Sequence, residues 1–525
     1  MKRIPALDSL RGLLLVIMTF NHLIWVSGGV TSLQLFTLQP LGQFGAAEAF
    51  VFLSALLAGA IYSRPALSNT EVRKKAFKRA ITIYRYHLIC ILAISGWYFF
   101  VKFAIPSGIP LYQFSFPGII SDPIGALILS ITLLSKPNYL DILPLYIFFM
   151  VGLPFLIAAF RKGYLLWVMA LSIAVWLCSG FTETSQLTAV VSFVFPNANV
   201  QPGYFDPFAW QILFTSGAAL GYLAQNGSVN WITPARTIIA ALIALTLFVL
   251  HRGSFLGFGF TPDALYQMAD KPEIGWLRLL NILVWVYLVA AIIRHRPTLL
   301  EFKALSYIGR HSLHVFSWHV VLSYIVGLAL FDIRFENYYL IVVFALVATL
   351  WIPAWIKEKQ SPTLETKWWA TVTMLPTLLV AVLSVNLLNP ALETEQSDVA
   401  SLKALAPNSI QVQVSNIGNE NAPIQILLFK DTDDLMGSPS AGALTVSPEQ
   451  AESGVVFENV AQGKYVILAF QDIDGNHYLT VENSVPQEGF GFSNLPIVNG
   501  PPAMSDVAFE HIESQTQKIV FNHLY

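Results

Sequence analysis

Charge is what this 525-residue chain has least of: Asp, Glu, Lys and Arg make up 12% of it, against 55% hydrophobic residues and a mean hydropathy of +0.59. Roughly a quarter of an ordinary soluble protein is charged, so the composition excludes a large soluble enzyme and reads as a polytopic membrane protein. The net charge of −2 says little, because the distribution of the charges matters more. Cysteine is nearly missing. Cys90 and Cys178 both lie in apolar stretches, so no disulfide framework is implied and the redox compartment stays unread. The N-terminal MKRIPALDSLRG is basic, yet no small-residue cleavage site closes the apolar run behind it, which predicts a retained first helix rather than a signal peptide. No internal repeat relates the two halves of the apolar region.

Apolar runs are what the chain has in quantity. They fall at 10–27, 43–62, 84–104, 139–160, 164–180, 208–225, 235–251, 275–293, 312–331, 337–356 and 369–389, which predicts about eleven transmembrane helices. PIGALILSITLLS (123–135), opened by Pro123 and closed by Lys136 and Pro137, is too short to cross and is expected to be re-entrant or interfacial. Positively charged loops stay cytoplasmic. With the N-terminus inside and an odd number of crossings, the outer loops hold only Lys102, Lys136, Arg252, Lys271 and Arg334, and the remaining loop Lys and Arg fall inside. A full crossing at 123–135 would invert every later loop and spoil that bias, so the C-terminal region is expected outside.

Beyond NPALETEQ the composition changes. SIQVQVSN, PIQILLFK, GVVFENV, GKYVILAF and QKIVFN are short alternating or apolar runs separated by turn-rich stretches, the pattern of a small β-sandwich. The expected organisation is a membrane domain over 1–390, a linker over 391–402 and a β-sandwich over 403–525. Within DIDGN, Asp472, Asp474 and Asn476 hint at calcium, but the spacing misses the EF-hand pattern and a plain turn is the simpler reading.

The charges inside the apolar runs bear on function. Arg11 and His22 are separated by about 1100° of helix, roughly 20° more than three full turns, so they share a face with Asp8 one turn below. The rise between them is about 16 Å, half a hydrocarbon core, which puts Arg11 at the inner interface and His22 beyond the midplane. An ionisable residue in a span usually faces the bundle interior or a water-filled cavity. Arg11 snorkelling to the interface and His22 bonding a neighbouring helix are the plainer alternatives. Glu48 enters the second span from the outer side, so an approach to His22 is geometrically open, as is a place at the outer interface. A carboxylate there would raise the basicity of the imidazole, as acid–base work requires. Asp141 starts a helix at the outer side, where it can be an N-cap. His314 and His319 share a later span, five apart and so on different faces. EVRKKAFKRAITIYRY (71–86) reads either as a topology signal with anionic-lipid contact or as a dock for a phosphorylated cytoplasmic donor.

Taken together, these residues resemble the integral-membrane acyltransferases of the acyltransferase-three type. In that family an Arg and a His separated by ten residues open the first helix, as Arg11 and His22 do here. FVFLSALLAG resembles the second-helix motif, with Ala55 where a glycine usually stands, and SLHVFSWH resembles the late motif that ends at His319. The usual RxxR departs: Arg79 is followed by Thr82, with Arg85 further on. LDSLRG, AEAFVFLSALLAG, FKRAITIYRYH, YLDILPLYI, FDPFAWQILF and IGRHSLHVFSWH, in order over about residues 1–390, resemble the OpgC-type branch more closely. GKYVILAFQDIDGN, EGFGFSN and GPPAMSDVAF resemble a family of small exported β-domains without an assigned activity.

The resemblance implies transfer of an acyl group, succinyl or acetyl, from cytoplasmic acyl-CoA to hydroxyls of an extracytoplasmic glycan such as osmoregulated periplasmic glucan. It implies a bacterial inner-membrane protein with its β-domain in the periplasm, acyl-CoA as co-substrate, and neither cofactor, metal nor nucleic acid. His22 would be the base, Glu48 its orienting carboxylate and Asp8 the residue positioning Arg11. Arg11, Lys78, Arg79 and Arg85 would hold the CoA phosphates, and Asp141, Asp206, Trp210 and His319 would line the acceptor passage. A proton-coupled transporter of a glycan or acyl anion is the alternative; the missing inverted repeats count against it.

Overall fold

A computed structural model describes residues 4–359 and 408–523, apart from 28–30, 105–111, 113–114, 180–189, 192, 196–197, 199, 228–230, 256–264, 266, 335, 419–421, 432, 434–438, 474, 476–478, 483–484 and 496–506. The N-terminal region is helical: α1 (Pro5–Val26), α2 (Ala46–Tyr62), α3 (Asn69–Ala104), α4 (Pro123–Ile131), α5 (Ile142–Arg161), α6 (Leu165–Leu177), α7 (Pro207–Asn226), α8 (Pro234–Phe255), α9 (Trp276–His295), α10 (Lys303–Arg310), α11 (Ser312–Asp332), α12 (Tyr339–Ala348) and α13 (Trp351–Lys359), with short helical turns between them.

Among the described residues seven stretches are long and apolar enough to cross a membrane: α1, α3, α5, α8, α9, α11 and the α12–α13 pair. That is fewer than the about eleven expected from apolar run lengths alone, for physical reasons. α2 and α6 occupy expected spans but are shorter apolar helices. α7 matches 208–225, and its Gln211, Thr215, Ser216, Gln225 and Asn226 dilute its apolarity. The run 369–389 and the linker 391–402 lie outside the described residues. α4, with nine residues, rises about 13 Å and does not cross. Asp122 caps it, accepting from Gly125 N at 2.9 Å.

Small residues set how the helices meet. A Cβ on Gly12 would collide with the Leu305 carbonyl, and one on Gly309 with the Asp8 carbonyl, so α1 and α10 touch backbone to backbone. This explains the glycines in LDSLRG and IGRH: each leaves room for the other helix. α2 and α7 meet in the same way, with Gly59 against Ala218, Gly217 against the backbone of Phe52 and Leu56, and Gly221 against that of Leu56 and Ala60. Close approach through small residues is how helices associate where lipid removes the hydrophobic drive. Ala55, fully buried, lies against Gly217, so the methyl that replaces the usual glycine is accommodated by a glycine on the facing helix.

The C-terminal region is β-rich: β1 (Ile410–Ser415), β2 (Ile424–Lys430), β3 (Gly442–Val446), β4 (Val455–Phe457), β5 (Gly463–Gln471), β6 (Val481–Glu482), β7 (Val485–Pro486), β8 (Phe490–Phe492), β9 (Phe509–His511) and β10 (Gln515–Val520). One sheet runs β10–β1–β4 and another β3–β2–β5–β8, with β9 also on β5. β1 buries Ile410, Val412 and Val414 and turns Gln411, Gln413 and Ser415 outward, the period of two that its sequence shows. Those residues share a core with Ile426 and Leu428 of β2 and Ile467 and Ala469 of β5, so both sheets feed one interior. The alternate face of β5, Val466, Leu468 and Phe470, builds a second core with Phe490 and Phe492. A strand buried on both faces reads as a continuous apolar run, as GKYVILAF does. Asp472 is buried and accepts from Gln425 Nε2 at 3.0 Å, whereas Asp474 and Asn476 lie outside the described residues.

Candidate active site

α1 carries the reactive side chains because its polar positions repeat on one face. His22 lines a cavity of about 390 Å³ together with Trp25, Tyr139, Asp141, Tyr204, Phe205, Lys271 and Phe316. Its Nδ1 lies 3.1 Å from Nε2 of His319, which is fully buried on α11. The Tyr139 ring packs on the imidazole, with centroids 4.4 Å apart. No hydrogen bond occupies His22 Nε2 among the described residues. His314 points elsewhere: its Nε2 meets Tyr86 Oη on α3 at 2.6 Å, as the five-residue spacing predicts.

Glu48 does not reach His22. Its carboxylate pairs with Arg278 at 2.5 Å, with both side chains buried (0% and 1% exposed). The other carboxylate oxygen accepts from Gly45 N at 3.2 Å, closing the first turn of α2. Arg278 Nε donates to Ala269 O at 2.7 Å, so this ion pair ties α2 and α9 to the loop before α9. An arginine inside the apolar run GWLRLLNILVWVYL was the sequence signal for it, since a charge in a span needs a partner.

Lys271 sits on that loop and was read in the sequence only as an outer-loop charge. Its Nζ lies 5.5 Å from the Tyr204 ring centre and 6.0 Å from those of Trp25 and Phe205. Burial pushes its ammonium below the ordinary lysine value, and the Glu48 carboxylate works in the opposite sense. Asp141 lines the cavity without capping α5; it accepts from Tyr204 N at 3.1 Å, and burial pushes its carboxyl above the ordinary range.

Asp206 and Trp210 do not line the cavity, contrary to expectation. Asp206 is the N-cap of α7, accepting from Phe208 N at 2.7 Å. Trp210 is fully buried and donates to the carbonyls of Lys271 at 3.2 Å and Pro272 at 3.0 Å. Both sit behind the cavity wall.

At the other end of α1, Arg11 donates to Ser312 Oγ at the start of α11, and its guanidinium lies 5.9 Å from the centre of the Phe50 ring. Asp8, in the first turn, and Arg79 are both within electrostatic range of Arg11. The basic stretch of α3 divides by face. Arg79 is half-buried and within electrostatic range of Arg11, Tyr86 and Tyr146. Lys78 and Arg85 are exposed and share an open groove with Arg73, Lys74, Phe77, Ile81 and Thr82.

Fold and site define a multi-pass helical membrane protein with a cavity-lining histidine backed by a second, buried one, and an arginine at the opposite end of the same helix. A family model described as OpgC protein matches residues 3–361, and one described as uncharacterized protein conserved in bacteria (DUF2141) matches residues 412–519. The chain belongs to the OpgC-type branch of integral-membrane acyltransferases, and the β-rich region behind it is similar to the uncharacterized bacterial family. Neither a curated protein nor a solved structure matches it.

Proposed function

We propose that the protein moves an acyl group, succinyl or acetyl, from cytoplasmic acyl-CoA to a hydroxyl of an extracytoplasmic glycan, with osmoregulated periplasmic glucan as the leading acceptor. The observation that carries this reading is His22 on the cavity wall, held by His319 at 3.1 Å, in a chain of this family. If His22 Nδ1–H donates to His319 Nε2, the lone pair stands on His22 Nε2, the nitrogen without a protein partner. That is the tautomer a general base needs. His319 then takes the orienting role first assigned to Glu48, and acts through His22 rather than on substrate.

The donor enters from the Arg11 end. Arg11 and Arg79 hold the CoA phosphates, Asp8 positions Arg11, and the pantetheine arm spans the about 16 Å of helix to His22. Lys78 and Arg85, on the outer face of α3, contribute only long-range attraction. The acceptor enters from the opposite side, where Tyr139, Tyr204, Trp25 and Phe205 offer flat apolar faces and Asp141 a carboxylate. This reading keeps the N-terminus in the cytoplasm, an odd number of crossings in the inner membrane, and the tail, as a β-sandwich, in the periplasm. Its test is incubation of the purified protein with labelled acyl-CoA species and a glucan. Label should pass to the glucan, and a protein that only transports would leave the thioester intact.

A further inference from the structure

Among the described residues Lys271 is the one lining this cavity with a formal positive charge, and the cavity's carboxylate, Asp141, is within electrostatic range of it without forming an ion pair. Its ammonium has neither a hydrogen bond nor an ion pair among the described residues; its near neighbours are the faces of Trp25, Tyr204 and Phe205. Of the two buried carboxylates within its electrostatic range, Glu48 is taken by Arg278 at 2.5 Å and Asp141 accepts from Tyr204 N at 3.1 Å. A buried ammonium without a directly paired carboxylate is costly to keep, and aromatic faces offset only part of that cost. The loop that presents it is also fixed. Trp210 Nε1 holds the carbonyls of Lys271 and Pro272, and Arg278 holds that of Ala269. A fixed cation facing the same cavity as His22 is built to meet negative charge there.

We propose that Lys271 is a further catalytic residue of the acyl transfer, the cation that stabilises the oxyanion formed at the acyl carbonyl; the inference rests on the function proposed above. His22 Nε2 takes the acceptor O–H proton as the oxygen adds to the thioester carbon. The C=O π pair moves onto the carbonyl oxygen, beside the Lys271 ammonium. Collapse restores the C=O bond, breaks the C–S bond and expels the CoA thiolate, which takes the proton back from the His22 imidazolium. Atoms and charge balance without a further reactant. A preorganised positive group beside the carbonyl oxygen acts where charge develops, and losing one such donor costs about 10²–10³-fold in rate.

The experiment compares Lys271→Met and Lys271→Arg with the unsubstituted protein, using a neutral acyl donor (acetyl-CoA) and one carrying a carboxylate (succinyl-CoA). Lys271→Met should lower kcat by about 10²–10³-fold on every donor the parent protein uses, with KM for the donor nearly unchanged. Lys271→Arg should recover part of the rate. Loss confined to the carboxylate-bearing donor would show that Lys271 reads the acyl substituent, and overturns the assignment. A raised KM with unchanged kcat, or no change at all, overturns it too. Should Lys271→Met not elute as a single species, Lys271→Gln takes its place against Lys271→Arg. A parent protein inactive on both donors removes the acyl-transfer reading itself, and is told apart because no substitution is involved.

Discussion

His22 and His319 touch through one nitrogen each, and that single contact sets what each substitution should do. His22→Ala removes the base and is expected to abolish transfer while the protein still inserts and accumulates; normal glycan acylation in that variant would sink the assignment. His319→Ala leaves the base but frees its tautomer and orientation. Its kcat should fall by about 10²-fold, the lower range for a disturbed acid–base group. His319→Gln, whose amide oxygen can still accept from His22 Nδ1–H, should recover part of it. A purely packing role for His319 would show no such ordering in the pH–rate profile of the two variants. Glu48 and Arg278 obey a different logic. Removing either charge leaves the other buried and unpaired at a cost of about 3–5 kcal/mol, whereas replacing both by apolar residues should cost much less. Thermal unfolding in detergent of Arg278→Leu, Glu48→Leu and the double variant reads that directly. The helix period made Arg11 and His22 legible as one face, because that depends on local geometry alone. The partner of Glu48 was not legible. It lies on α9, and nothing local distinguishes an approach to His22 from one to Arg278.

At the scale of helices, α3 shows how one charged run serves two faces. About 54 Å long by its 36 residues, it exceeds the hydrocarbon core by several turns, so its basic stretch is free to project beyond the lipid. Arg79 lies within electrostatic range of Arg11, and Lys78 and Arg85 are exposed. Titration with a non-hydrolysable CoA analogue should therefore separate them. Arg79→Gln is expected to weaken binding by about tenfold, some 1.4 kcal/mol, while Lys78→Gln and Arg85→Gln change it little. Equal losses at all three positions would mean that the phosphates sit in the outer groove instead. The glycine contacts make a stability prediction at the same scale. A side chain at Gly217 must enter the backbone of α2, and overpacking of this kind costs about 1–3 kcal/mol. Gly217→Val should lower the unfolding temperature, and Gly163→Ala, with nothing within 4 Å of its Cβ but a φ of +83°, tests backbone strain without a clash. Run length alone placed a helix at each of the first ten expected runs, of which seven are long and apolar enough to cross. It missed how short α2 and α6 are, because an apolar residue just outside a helix looks the same in sequence as one inside it.

The described residues of the two regions, 4–359 and 408–523, build separate hydrophobic cores. The tail's main core is drawn from its own strands, and β1 at its start pairs in parallel with β10 at its end, Ile410 opposite Gln515 through Ser415 opposite Val520. That pairing joins the tail's first strand to its last, and among the described residues the helical core is drawn from Leu15 to Ala354 alone. Every residue assigned here to donor, base and oxyanion lies before residue 359. Deleting 400–525 should leave turnover on a small acceptor intact and may be read on a long glucan for any loss of capture. The charge distribution bears on the side of the membrane: with basic loops inside and an odd number of crossings, the C-terminus is expected in the periplasm. Alkaline phosphatase fused there should be active and a fluorescent protein that folds only in the cytoplasm should be dark. The opposite pattern would mean an even number of crossings, and the nine-residue α4 is too short to supply the change, so the fault would lie at α2, α6 or the run at 369–389. Loss of small-acceptor turnover in a truncated protein that still elutes as a single species would assign the tail a part in building the active site.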